Sequence, residues 1–165
     1  MTEPRPPLSH LDSQGRAVMV DVSAKPIIRR RAVARAELVA AAGTLDRLMG
    51  GDLPKGDALA AARLAGILAA KRTDELIPLC HGLPLDHVEV TFHRAASDRL
   101  ELTATATTAA RTGVEMEALV AASIAALTLY DMAKAIDKAM RIDGLTLLEK
   151  TKEPTAGGEQ GSEVG

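Results

Sequence analysis

An α+β sandwich, an antiparallel sheet with helices on one face, is the fold that this 165-residue sequence predicts. Three observations carry the expectation. Two adjacent segments alternate apolar and polar residues with a period of two, as half-buried strands do. A long segment after them is apolar nearly all round, which suits a buried helix. And 47% hydrophobic residues against 25% charged ones supply enough apolar material for a core.

Taken in order, residues 27–38 mix β-branched side chains with arginines and read as an edge strand or an irregular arm. A short helix is expected over residues 44–49, stopped by Gly50-Gly51. Asp57 is a good N-cap for a helix over residues 58–71, and Ile77-Pro78 ends anything helical. In the first alternating segment Val88, Val90 and Phe92 point one way, and His87, Glu89, Thr91 and His93 the other. In the second, Leu100, Leu102, Ala104 and Ala106 alternate with Glu101, Thr103, Thr105 and Thr107. Ser97-Asp98 joins them as a hairpin with one wet face. The long helix then runs from Val114 to about Lys138, and a last strand covers residues 145–150. The order β-α-α-β-β-α-β describes a ferredoxin-like sandwich. One catalytic-sized domain spans residues 17–152, between a Pro-rich arm over 1–16 and a Gly- and Glu-containing tail over 153–165, both expected to be loose.

Composition narrows the function. The only aromatics are Phe92 and Tyr130, so Ala, Leu, Val, Ile and Met must fill the core. A net charge of −2 and the absence of stacking aromatics argue against nucleic acid as a partner. Cys80 is the only cysteine, so no internal disulfide can form, and a free thiol suits a reducing cytoplasm. The first residues hold no apolar signal core, and the apolar stretch over 118–132 reads as too short and Ala-rich to span a membrane.

The long helix carries charge where apolar residues dominate. At 100° per residue, Ile124, Leu127, Asp131 and Lys134 fall within about 40° of Val120, and Glu117 within about 60°. Asp131 and Lys134 can be a plain i,i+3 ion pair, or charges set into a face that needs them. Thr112-Gly113-Val114-Glu115 matches a capping box, which gives Glu115 a structural use; Glu117 has none. Glu117 and Asp131 are 14 residues apart, about 21 Å along the axis, too far to share one reacting bond. Two such helices packed antiparallel across a two-fold would bring the opposite ends together, so an active site at a subunit interface is expected.

Loops supply further candidates. Lys55-Gly56-Asp57 precedes a helix start and suits a phosphate, although a lysine in a turn is usually just solvated. His81 beside Cys80 is a core histidine, a general acid/base or a phosphate donor. One cysteine without a second Cys/His cluster makes a structural metal site a poor reading. Arg29-Arg30-Arg31 with Arg35 meets an anionic substrate or solubilises a strand.

Met19-Val20-Asp21-Val22-Ser23-Ala24-Lys25, then Lys55-Gly56-Asp57, KRTDELIPLCH, TGVEMEALVAASIAALTLYDM and Lys134-Ala135 occur in the order and spacing of one family. Across residues 17–150 the chain resembles the MoaC family of cyclic pyranopterin monophosphate synthases. The resemblance implies a ferredoxin-like subunit, a homohexamer built as a trimer of dimers, and active sites at the dimer interface. It implies a lyase of molybdenum cofactor biosynthesis. The substrate would be a cyclised GTP derivative, a small-molecule triphosphate, with pyrophosphate released and neither nucleic acid nor membrane involved. It requires no cofactor, though Mg2+ can accompany the triphosphate. Carried onto this chain, it makes Lys55, Asp131 and Lys134 catalytic. Leu79, Cys80, His81, Glu115, Met116 and Glu117 would bind substrate, with Arg30 and Lys150 on the phosphate side and no metal ligand. The rival reading is a non-catalytic ferredoxin-like module that binds a phosphorylated ligand; it leaves the charges within the apolar helix unexplained.

Overall fold

The structure, a computed structural model, describes residue 12 and residues 14–154. Strand β1 (Ile28–Val39) is followed by helices α1 (Ala42–Gly50), α2 (Ala58–Ala70) and the single turn α3 (Thr73–Leu76). The hairpin β2 (His87–Ala96) and β3 (Arg99–Ala110) comes next, then α4 (Glu115–Ala133) and β4 (Arg141–Glu153). The four strands form one antiparallel sheet of order β2-β3-β1-β4. This is the expected α+β sandwich, with one short helical turn, α3, that the sequence had not revealed. The arm over 1–16 and the tail beyond residue 154 fall almost wholly outside the described residues. Glu153, assigned to the tail, instead closes β4.

Strand β1 is a central strand, not an edge. Ala32, Ala34, Ala36 and Leu38 alternate on its helix-facing side with no exposed surface. Small alanines let α4 approach the sheet closely, so this face is buried without any long apolar run. Arg31 and Arg35 point to the other face, where they pair with Glu149 at 2.7 Å and Glu101 at 3.5 Å. Arg31 and Arg35 thus mark the polar face of a central strand, where an edge strand or an irregular arm was expected.

Helix α4 lies across the sheet beside α2. Ala118, Ala121, Ala122, Ala125, Ala126, Leu129 and Ala133 are fully buried there. By length and composition α4 is apolar enough to cross a bilayer, contrary to the expectation for this stretch; its packing against sheet and α2 makes it a core helix. It also ends at Ala133 rather than near Lys138. The carboxylate of Asp137 accepts hydrogen bonds from the Ala41 N–H at 2.9 Å and the Thr44 hydroxyl at 3.1 Å, capping α1 and turning the chain away. Asp57 caps α2 as expected, accepting from the Ala60 N–H at 2.9 Å.

The two helices touch at Gly66. A methyl group there would stand 2.9 Å from the Ala121 carbonyl oxygen and 3.1 Å from a Val90 methyl. Overpacking of this kind costs about 1–3 kcal/mol, more than the helix-propensity gain of about 1 kcal/mol. Gly66→Ala is therefore expected to lower the denaturation midpoint in urea; an unchanged or raised midpoint would show that α2 and α4 can separate freely.

Candidate active site

A cavity of about 980 Å³ opens at the N-terminal end of α4. Three parts of the chain wall it. The segment before β1 contributes Val20, Val22 and Lys25; the loop after α3 contributes Ile77, Leu79, Cys80 and His81; the turn into α4 contributes Arg111, Thr112, Gly113, Glu115 and Met116. Arg30 from β1, with Lys150 and Lys152 from β4, completes the wall. The register explains that last group. Lys150 lies opposite Ala32 and Lys152 opposite Arg30, so period-two alternation puts all three charges on the helix-facing side where the sheet outruns α4.

Five cations therefore surround one carboxylate. Glu115 is ion-paired with Lys150 and has no part in a capping box: the N-cap position of α4 is Val114, without a side-chain cap bond. Gly113 makes the geometry possible, because a Cβ there would collide with the Glu115 carboxylate folded back over it. His81 Nε2 lies 2.9 Å from the Val20 carbonyl oxygen. That oxygen can only accept, so Nε2 carries a proton and the histidine ties the segment before β1 to the cavity rim.

Seven of the residues singled out from the sequence thus meet here: Arg30, Leu79, Cys80, His81, Glu115, Met116 and Lys150. Glu117 does not reach the wall. It is 2% exposed, sits behind Cys80 with Oε1 3.9 Å from Sγ, and leaves Oε2 without a partner. Burial, with the charges of Glu115 and Asp74 adding to it, pushes its carboxyl from 4.5 up to about 7. Cys80 is shifted upward by burial and then by the charges of Glu117 and Asp74, which disfavours a thiolate and a nucleophilic role.

The remaining three lie at the other end of α4. Asp131 accepts from Lys55 Nζ at 2.8 Å and from Lys134 Nζ at 2.6 Å, a carboxylate held between two ammonium groups. These hydrogen bonds, Lys134 first and then Lys55, hold Asp131 at about 2, and the same bond raises Lys134. The expectation of a buried lysine is not met in the single chain, where the side chains of Lys134 and Asp131 are 56% and 54% exposed. The apolar face they continue is itself open, since Leu127 is 53% exposed and Leu64 on neighbouring α2 is 59% exposed. The face runs from buried Glu117 and Val120 to exposed Leu127, Asp131 and Lys134, and among the described residues nothing covers that C-terminal part.

Lys25, Arg111 and Lys152 belong to the cavity and were not singled out. Lys152 had a signal, two residues past Lys150 on the same strand face. Lys25 stands within a quoted motif, but Arg111 had only its place next to Thr112-Gly113.

The sequence profile of the MoaC family matches residues 19–153. The cyclic pyranopterin monophosphate synthase of Chloroflexus aggregans is 57% identical over 144 residues, 87% of this chain and 87% of that protein. The cyclic pyranopterin monophosphate synthase of Chloroflexus aurantiacus is 56% identical over 151 residues, covering 91% of this chain and 93% of the relative. Cyclic pyranopterin monophosphate synthase 3 of Mycobacterium tuberculosis is 56% identical over 144 residues, 87% of this chain and 81% of its own length.

Proposed function

The chain belongs to the MoaC family of enzymes, and on that premise we propose that it is a cyclic pyranopterin monophosphate synthase of molybdenum cofactor biosynthesis, a cytoplasmic lyase. It converts (8S)-3′,8-cyclo-7,8-dihydroguanosine 5′-triphosphate to cyclic pyranopterin monophosphate and releases pyrophosphate. The observation that carries this reading is the cavity itself, where Lys25, Arg30, Arg111, Lys150 and Lys152 face a single carboxylate.

A triphosphate needs cations that stay in place while its charge redistributes, and preorganised arginine and lysine side chains supply them. Glu115 accepts from the amino or ring N–H groups of the guanine-derived portion, as a carboxylate does. His81 donates its Nε2 proton to the Val20 carbonyl and so holds the segment before β1 against the cavity rim. Two chemical tasks follow: protons move as the purine-derived ring opens and re-closes, and a sugar hydroxyl attacks the α-phosphate to expel pyrophosphate. Lys55 and Lys134 serve as proton carriers, with Asp131 orienting both. In the open single chain Asp131 keeps Lys134 protonated. A covering subunit would remove water from the cluster, and desolvation lowers a lysine's pKa toward the range where it can exchange protons.

That second subunit is part of the reading. The cavity and the Lys55–Asp131–Lys134 cluster stand at opposite ends of α4, about 24 Å apart along its axis from Glu115 to Asp131. An antiparallel two-fold packing on the open Leu64, Leu68 and Leu127 face would join one subunit's cavity to its partner's lysines. We place such dimers in a homohexamer, a trimer of dimers. The reaction calls for no cofactor of the protein's own; a magnesium ion can travel with the triphosphate, bridging its oxygens. Incubating the purified protein with the cyclised GTP derivative should yield pyrophosphate and the cyclic monophosphate in equal amounts. Tight binding of the triphosphate without any pyrophosphate would favour the non-catalytic module instead.

A further inference from the structure

Resting on the reading above, we propose a division of labour between two arginines: Arg111 grips the phosphate chain, and Arg30 is the buried clamp that positions it. Arg30 is 9% exposed, and its guanidinium is already engaged. Nε donates to the Ala110 carbonyl at 3.0 Å and Nη2 to the Arg111 carbonyl at 3.0 Å. Those carbonyls belong to the end of β3 and the turn that leads into α4, 80 residues away in sequence. Arg30 thus fixes the backbone from which Arg111 projects. No carboxylate pairs with it among the described residues, so its charge still adds to the positive potential of the cavity.

Arg111 is built the other way round. Its residue is exposed, it lines the cavity, and it spends only Nε, which donates to the Lys25 carbonyl at 3.2 Å. Among the described residues its two terminal nitrogens carry no protein hydrogen bond, which leaves a free planar fork. Such a fork matches two phosphate oxygens at once, a geometry that lysine lacks. The Nε bond also holds the backbone of Lys25, which lines the same wall, so one side chain supplies a ligand and anchors a neighbouring cationic residue. Lys150 is partly neutralised by Glu115, which leaves Arg111 with Lys25 and Lys152 to meet the phosphates.

The test compares Arg111→Ala, Arg111→Lys, Arg30→Lys and Arg30→Ala by pyrophosphate calorimetry, steady-state kinetics and thermal melting. Arg111→Ala should weaken pyrophosphate binding and raise KM roughly 10- to 100-fold, the worth of a hydrogen-bonded charge, with an unchanged melting temperature. Arg111→Lys should recover only part of the affinity. Both Arg30 variants should melt earlier, losing affinity in step with stability. Wild-type pyrophosphate affinity in Arg111→Ala would overturn the assignment, and so would Arg30 variants that lose affinity while melting normally. Should Arg30→Ala fail to fold, the Arg111 pair still decides. If pyrophosphate binds through Arg111 while the cyclised GTP derivative is not turned over, the assignment stands and the functional reading falls.

Discussion

Replacing Lys134 with alanine should leave the fold intact and cut turnover by about 10²- to 10⁴-fold, the range for loss of a positioned proton carrier. Lys55→Ala should behave alike, because both ammonium groups are held on Asp131. The fold is spared for a reason visible in the single chain: exposed ion pairs contribute only about 0–1 kcal/mol. Removing either charge should therefore cost the fold little. The measurement is initial rate by pyrophosphate release beside a thermal melt of each variant. Full turnover in both variants would remove the lysines from the reaction, and a large fall in melting temperature would recast them as structural.

Glu117→Gln should produce the second large effect, in the pH dependence of stability. The Glu117 carboxyl titrates near 4.5 when exposed and at about 7 when folded. The folded state therefore holds a proton that the unfolded state gives up, and rising pH favours unfolding between those two values. The stability due to neutral Glu117 is whole below pH 4.5 and lost as pH climbs to about 7. A shift of that size corresponds to at most about 3 kcal/mol. Glutamine keeps the shape without the ionisation. The variant should match the wild type at pH 4 and exceed it at pH 8 in urea titrations. Parallel curves for the two proteins would mean that Glu117 stays solvated or finds a partner when ionised.

Much of this was legible before any coordinates. Period-two alternation gave the β2–β3 hairpin and its wet face because Val, Phe, Leu and Ala alternate there with His, Glu and Thr without a break. Asp57 announced α2 through the one chemistry that an N-cap needs. Strand β1 was harder to place. Its buried side is almost all alanine, and alanine beside arginine gives little contrast by which to read burial on both flanks. The end of α4 was overshot because residues 134–138 keep helical composition, while the Asp137 carboxylate is claimed by α1, a contact 96 residues distant in sequence. Within the site, lysines and glutamates set in motifs could be named. Arg111 could not, since its value lies in a free guanidinium fork that Arg30 holds in place from another strand. Asp131 and Lys134 share a helical face with Leu127, but helical periodicity equates an apolar face with a covered one, and among the described residues this end of the face is open.

The account depends on two half-sites meeting across subunits, and mixing crippled chains tests that most directly. Lys134→Ala and Arg111→Ala, assayed at a substrate concentration well below the raised KM so that each is slow alone, would be denatured together, refolded at equal amounts and assayed for pyrophosphate release. Hybrid dimers then carry one doubly damaged site and one whole site, so random pairing should restore about a quarter of wild-type activity. Activity that stays at the level of the separate variants, with hybrid dimers demonstrably present, would contradict the shared site.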